Sequence, residues 1–174
     1  MTLEVLFHGI RRCVRCERCA TRFLAVPGEG SARRGLLLLG EAPGKSEDES
    51  GRPFAGRTGR YLDGVMADNG ISRDDAFVTS ILKCYHPGPP LPRQVEACRP
   101  WTVQQIHEVG PCKLLVMGVV AAGGLMGLKE LGEKEITTEW EGIVCVVTCH
   151  PTAAMRFPNR DAQFRRDLAR VLLL

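Results

Sequence analysis

Residues 35–44, GLLLLGEAPG, contain the clearest structural signal in the sequence. Four consecutive leucines bounded by glycine predict a short strand that is buried on both faces. The glycines and the proline that follow predict a loop at the carboxyl end of this strand. Residues 56–70, GRTGRYLDGVMADNG, then have the apolar spacing of a helix and end in a glycine that stops it. The run therefore predicts a strand, a loop and a helix in succession.

The same alternation continues along the chain. Three further apolar runs predict strands within residues 75–84, 112–118 and 142–151. Helical patterns occupy residues 3–13, 91–111, 119–127 and 159–174. Strands that alternate with helices predict an α/β sandwich around a mainly parallel sheet, here of four strands. We expect residues 1–174 to form a single domain, because no linker or repeat divides them.

Composition excludes several classes of protein. Of the 174 residues, 44% are hydrophobic and 25% are charged, as in ordinary globular domains. Apolar runs are too short for a membrane span, and the N-terminus lacks the pattern of a signal peptide. We therefore expect a cytoplasmic protein. The net charge of +3 permits an acidic partner without requiring one.

Eight cysteines without a signal peptide indicate metal binding, redox chemistry or burial rather than disulfides. Three of them lie in or beside apolar runs and are expected to be buried: Cys112, Cys145 and Cys149. Cys13 and Cys16 form a C-x2-C pair, and Cys84 and Cys98 each stand beside a basic residue. Four such thiolates predict either a zinc site or an iron–sulfur cluster. Cys19 is a fifth candidate.

Polar and glycine-rich segments follow each predicted strand: GEAPGKSED, KCYHPG, MGVVA and CHPTAAMR. The carboxyl ends of parallel strands lie at one edge of a sheet, where ligands bind in open α/β folds. The sequence therefore predicts a functional site at this edge, including the histidine of CHPT.

The motif GEAPGKSEDESGRPFAGRTG, residues 40–59, together with HPTAAMR at 150–156, resembles the family 4 uracil-DNA glycosylases. The resemblance extends from Cys13 to the last helix. It implies a three-layer α/β/α fold and a [4Fe–4S] cluster held by Cys13, Cys16, Cys84 and Cys98, which leaves Cys19 as an extra thiol. It also implies removal of uracil from DNA, single- or double-stranded, by a monofunctional and monomeric enzyme that starts base excision repair.

The resemblance assigns roles to the predicted site. Phe54 would stack on a uracil rotated out of the DNA, and His150 would donate a hydrogen bond to the developing oxyanion. Glu41 is the first candidate to orient the attacking water, and Glu47 is the second. Further contacts to uracil or water are expected from the backbone of Gly40, Ala42 and Gly44. The loop with Thr152, Met155 and Arg156 would enter the minor groove and meet phosphate.

One departure from the family concerns base selection. Ser80 stands where the family usually carries an asparagine that reads the edge of uracil. A serine hydroxyl has a shorter reach and can donate or accept. We therefore expect weakened or altered base preference. The alternative interpretation is an iron–sulfur protein that binds nucleic acid with reduced or lost glycosylase activity.

Overall fold

The computed structural model describes residues 2–131 and 135–174. Within this part of the chain, five strands form one sheet in the order β2-β1-β3-β5-β4. The strands are β1 (Leu36–Gly40), β2 (Ala76–Ser80), β3 (Lys113–Met117), β4 (Ile136–Trp140) and β5 (Ile143–Thr148). All neighbouring pairs are parallel except β4 with β5. The predicted α/β class and mainly parallel sheet are confirmed, whereas the predicted number of four strands is wrong by one.

The additional strand, β4, is an antiparallel edge strand that pairs with β5 through a two-residue turn. Glu141 and Gly142 form this turn and both have positive φ, 48° and 82°, as tight hairpins of right-twisted strands require. The middle of β4, Thr137 to Glu139, is exposed. Because its polar residues interrupt the apolar pattern, β4 lacked the signal that identified the buried strands.

Seven α-helices lie in the described ranges. They are α1 (Leu3–Arg11), α2 (Lys45–Ser50), α3 (Arg57–Asp68), α4 (Pro92–Val109), α5 (Val119–Met126), α6 (Pro151–Ala154) and α7 (Pro158–Leu173). The short helices α2 and α6 were expected to be loop. The other five helices confirm the helical patterns of the sequence.

The leucines of β1 separate the two halves of the core. Leu36 and Leu38 pack with residues of α3 and α7, and Leu37 and Leu39 pack against α1, α4 and α5 on the opposite face. All four side chains are fully buried. Each such burial stabilises the fold by roughly 1.5–3 kcal/mol. The helices therefore form two outer layers around the sheet, as the three-layer prediction requires.

Cysteines outside the C-x2-C region differ in their surroundings. Cys145 and Cys149 are buried in the core, as expected. Cys112 is exposed, so its predicted burial is wrong, because it lies in the turn that precedes β3 rather than in the strand. In the described ranges, no helix combines the length and the apolar character that a membrane crossing requires.

Candidate active site and cysteine site

The predicted site residues meet at the carboxyl edge of the sheet. A cavity of about 260 Å³ opens there between the loops that follow β1, β2 and β5. Its lining includes most of the predicted catalytic and base-binding residues, and also Thr152 of the predicted DNA-binding loop. The former are Ala42, Gly44, Glu47, Phe54, Ser80 and His150. Gly40 lies beneath the cavity, and Glu41 lines a second cavity beside His150. The sequence therefore identified the edge and its principal side chains.

Phe54 is held tightly at this cavity. Its backbone has a φ of 49°, which is uncommon for a residue with a side chain. Its ring packs against Gly40, where a Cβ atom would lie 2.5 Å from the ring carbon Cζ. The ring is also stacked beside the imidazole of His150, with 6.3 Å between centroids and 25° between planes. Glycine at position 40 thus leaves the space that the aromatic ring occupies.

His150 caps the N-terminus of α6, and its ring is oriented by Thr152. Nδ1 accepts a hydrogen bond from the backbone N–H of Thr152 at 3.2 Å and lies 3.1 Å from its hydroxyl oxygen. That hydroxyl also lies 3.3 Å from the hydroxyl of Thr58 on α3. Burial lowers the pKa of His150 to about 4. The ring is therefore neutral near pH 7, and since Nδ1 accepts, its proton is on Nε2.

Glu41 directly follows β1 and lies in a cavity of about 340 Å³ together with His150, Arg156 and Phe157. Burial raises the pKa of Glu41, while the positive charge of Arg18 opposes the increase. A carboxylate in this position can accept a hydrogen bond from water within the cavity.

Glu47 uses both of its carboxylate oxygens to join two loops. Oε2 accepts from the backbone N–H of Gly44, and Oε1 accepts from that of Gly56, each at 2.9 Å. These bonds connect the GEAPG loop to the loop that carries Phe54. Glu47 therefore lines the cavity and also fixes its shape.

Ser80 ends β2 at the floor of the cavity and is only 7% exposed. Its carbonyl oxygen accepts from Nζ of Lys83 at 2.5 Å and from the hydroxyl of Thr102 at 3.3 Å. Lys83 is itself fully buried, and Nζ also donates to Thr79. Lys83 is the basic residue that precedes Cys84 in the sequence, and it also fixes the backbone that carries Ser80.

The segment after His150 presents side chains of unequal exposure. Met155 is half-buried and Arg156 is exposed, and both line a further cavity on the same face. Ala154 is buried in the core, so it is not available to enter DNA. Phe157 is an exposed aromatic residue beside the cavity of Glu41 and His150. An aromatic residue directly after a basic loop is a sequence signal that the prediction did not use.

Five cysteines line one separate cavity: Cys13, Cys16, Cys19, Cys84 and Cys98. Trp101 donates from Nε1 to the sulfur of Cys13 at 3.2 Å, and Arg22 donates from Nη1 to the sulfur of Cys84 at 3.1 Å. Burial raises the pKa of Cys84, whereas the hydrogen bond from Arg22 opposes the increase and favours the thiolate, the form that binds metal. In residues 2–131 and 135–174, no three His, Cys, Asp or Glu side chains converge as ligands of a single metal ion.

Arg18, between two of these cysteines, is only 1% exposed. Nε donates to Gln94 at 2.8 Å, and Nη1 donates to the carbonyl oxygen of Cys84 at 3.0 Å. Within the described part of the chain, its Nη2 is buried without a hydrogen-bond partner. Arg18 is therefore buried beside the cysteines, and no spacing in the sequence distinguishes it from the neighbouring arginines.

Comparisons with known proteins find similar sequences over nearly the whole chain. The family model of the Uracil DNA glycosylase superfamily matches residues 27–172. The type-4 uracil-DNA glycosylase of Pyrobaculum aerophilum is 37% identical over 97% of this chain and 92% of its own length. Those of Saccharolobus solfataricus and Archaeoglobus fulgidus are 31% and 29% identical, over 97% and 98% of this chain and 84% and 92% of their own lengths.

Proposed function

Because the chain belongs to the family of type-4 uracil-DNA glycosylases, we propose that it hydrolyses the N-glycosidic bond of uracil in DNA and so starts base excision repair. The observation that carries this proposal is the placement of Phe54 and His150 side by side in one cavity at the carboxyl edge of the sheet. An aromatic ring and a hydrogen-bond donor are what an enzyme needs to hold a base and to stabilise its departure.

Base binding is assigned to Phe54 and Ser80. A uracil inside a duplex is inaccessible, so its nucleotide must first rotate out of the stack. The base then lies on the ring of Phe54, whose position is fixed by contact with Gly40. The hydroxyl of Ser80 reads the edge of the base, and it offers one donor where an asparagine amide offers two. Weaker discrimination between bases follows from that difference.

Bond cleavage places negative charge on the departing uracil and positive character on the sugar. Nε2–H of His150 is the donor that faces this negative charge, and Thr152 already orients its ring. Removal of one such donor commonly slows enzymes about 10²- to 10³-fold. The imidazole acts in its neutral form, because its pKa of about 4 leaves it unprotonated near pH 7.

Orientation of the attacking water is assigned to Glu41. The carboxylate accepts a hydrogen bond from the water and its negative charge stabilises the positive sugar. Water adds to the anomeric carbon as the bond to the base breaks, the bonding electron pair leaves with uracil, and the proton that the water loses ends on the uracil anion. Glu47 supports the neighbouring base cavity through its two backbone contacts, at Gly44 and Gly56. Gly40, Ala42 and Gly44 keep this wall free of bulky side chains.

DNA contact is assigned to the segment that starts at His150. Arg156 meets a phosphate, Met155 fills part of the space left by the rotated nucleotide, and Thr152 holds the imidazole while it faces the DNA. We propose that the protein acts as a monomer on single- or double-stranded DNA in the cytoplasm.

The cysteine cavity is proposed to hold a [4Fe–4S] cluster through Cys13, Cys16, Cys84 and Cys98. The donors at two of the sulfurs, from Trp101 and Arg22, fit thiolate ligands. When bound, the cluster cross-links the N-terminal segment to the loop after β2 and to α4, and it supplies no step of the reaction. Cys19 lines the cavity without a ligand role.

The test is a substrate panel with purified, iron-replete protein. Oligonucleotides that contain uracil, hypoxanthine or xanthine are incubated in single- and double-stranded form, and abasic product is scored after alkaline cleavage. Release of free uracil with an abasic strand is expected. Binding of uracil-containing DNA with no abasic product from any base would support the alternative of a cluster-bearing binding protein without catalysis.

A further inference from the structure

Arg73 forms hydrogen bonds to the loop that carries Phe54. It begins the short 3-10 turn Arg73–Asp75 that leads into β2. Its Nη2 donates to the carbonyl oxygen of Phe54 at 2.9 Å, and its Nη1 donates to that of Pro53 at 3.0 Å. The guanidinium thus holds two consecutive carbonyl groups of one loop. A lysine ammonium is a point charge and does not reproduce this planar fork.

The remaining contacts of Arg73 fix the guanidinium itself. Nη1 lies 3.1 Å from a carboxylate oxygen of Glu29, and Nε pairs with Asp63 on α3. The side chain of Arg73 is only 21% exposed. The carboxylates of Glu29 and Asp63 therefore hold the Arg73 guanidinium in the position from which it binds the loop of Phe54.

The backbone of Phe54 needs such support. A residue with a φ of 49° is held in a sparsely populated conformation, which persists where the surrounding structure imposes it. From the other side, α3 packs directly on the carbonyl oxygen of Phe54, because a Cβ at Gly59 would lie only 1.6 Å from it. The carbonyl is thus enclosed between the Arg73 guanidinium and the first turn of α3.

We propose that Arg73 is a positioning residue for base excision: it holds the Phe54 backbone in the conformation that turns the ring toward the base. The inference rests on the proposed function, since the orientation of the ring matters only if a base stacks on it. Arg73 does not line the cavity proposed to hold the base, whereas Phe54 does, so it acts through the loop that carries Phe54.

The experiment compares Arg73→Gln with Arg52→Gln. Arg52 also pairs with Glu29, at 2.9 Å, but its side chain is 69% exposed and it makes no bond to the carbonyls of Pro53 or Phe54. Two quantities are measured, the single-turnover excision rate and the concentration of free uracil that inhibits excision by half. Arg73→Gln is expected to slow excision about tenfold and to weaken inhibition by uracil by a similar factor, because a displaced ring stacks poorly.

A double variant distinguishes positioning from general support of the fold. In a Phe54→Ala background the ring is absent, so Arg73→Gln is expected to cause no further loss. Additive losses would overturn the inference, as would an Arg73→Gln variant that matches Arg52→Gln in both quantities. Wild-type protein that releases no uracil would instead overturn the proposed function itself.

Folding is controlled by the conservative variant. Arg73→Lys keeps the positive charge between Glu29 and Asp63 and loses the fork. If Arg73→Gln melts well below Arg52→Gln, the same two quantities are measured with Arg73→Lys. Weaker inhibition by uracil in a variant with the melting temperature of Arg52→Gln supports the inference, and unchanged inhibition overturns it.

Discussion

The rings of Phe54 and His150 lie side by side with 6.3 Å between their centroids and 25° between their planes. Phe54 follows α2, and His150 follows β5, so 96 positions of sequence separate them. Both line the cavity at the carboxyl edge of the sheet. The structure therefore brings a flat apolar surface and an oriented N–H donor to the same small space.

Replacement of His150 tests the donor. His150→Ala is expected to lower the single-turnover rate of uracil excision about 10²- to 10³-fold, because the developing negative charge loses its partner. The matched control is His107→Ala, since His107 is exposed and pairs with Glu141 far from the cavity. Equal rates for the two variants would exclude His150 from the chemistry.

The dependence of excision on pH tests the assignment of Glu41. Burial raises the pKa of this carboxyl group above its ordinary value of 4.5. As the pH falls through the raised pKa, Glu41 gains a proton and loses the charge that orients the water, so the rate is expected to fall on the acid side and to be flat above it. His150 does not produce this limb, because its pKa is lowered to about 4.

Two variants show which residue causes the fall of the excision rate at low pH. Single-turnover rates are measured between about pH 4 and pH 9 at constant ionic strength. The limb is expected to persist in His150→Ala and to disappear from the residual activity of Glu41→Gln. If the fall of the rate at low pH were absent from His150→Ala but present in Glu41→Gln, the imidazole would be the titrating group. That result would contradict the assignment to Glu41.

Substitution of Ser80 tests whether this residue selects the base. Ser80→Asn restores an amide with a donor and an acceptor at the floor of the cavity. One additional hydrogen bond contributes about 1 kcal/mol, so uracil excision is expected to rise about five- to tenfold relative to hypoxanthine and xanthine. Ser80→Ala is the control that removes the hydroxyl. A substrate panel that is unchanged in both variants would show that another residue selects the base.

The cysteine cavity predicts unequal effects of serine substitution. Cys84→Ser removes a proposed ligand and is expected to give colourless, poorly folded protein. Cys112→Ser and Cys19→Ser are expected to keep the brown colour, because Cys112 is exposed elsewhere and Cys19 is not one of the four proposed ligands. Absorption spectra, iron content and melting temperatures check all three. A brown and stable Cys84→Ser variant would remove Cys84 from the ligand set.

Local patterns in the sequence were sufficient to predict the buried strand and the sheet edge at which this site lies. The leucines of β1 identify a buried strand, and the segments after the parallel strands must share one edge of the sheet. The convergence of Ser80 and His150 on one cavity follows from that geometry. The edge strand β4 was missed because its polar face gives no apolar run, although the Glu141–Gly142 turn was a usable signal.

Side-chain contacts between distant segments were not predictable. Arg18 and Arg73 look like ordinary surface arginines in the sequence. Arg18 is buried because Gln94 and the carbonyl of Cys84 come to it from 76 and 66 positions away. Arg73 reaches the carbonyl of Phe54 across 19 positions. Such roles arise from the packing of whole elements and leave no local pattern.

The most direct measurement is a crystal structure of the protein with its product uracil. We expect the pyrimidine ring to stack on Phe54, with a carbonyl oxygen of uracil within hydrogen-bond distance of Nε2 of His150. Uracil bound away from either ring, or an imidazole turned out of the cavity in that complex, would contradict it.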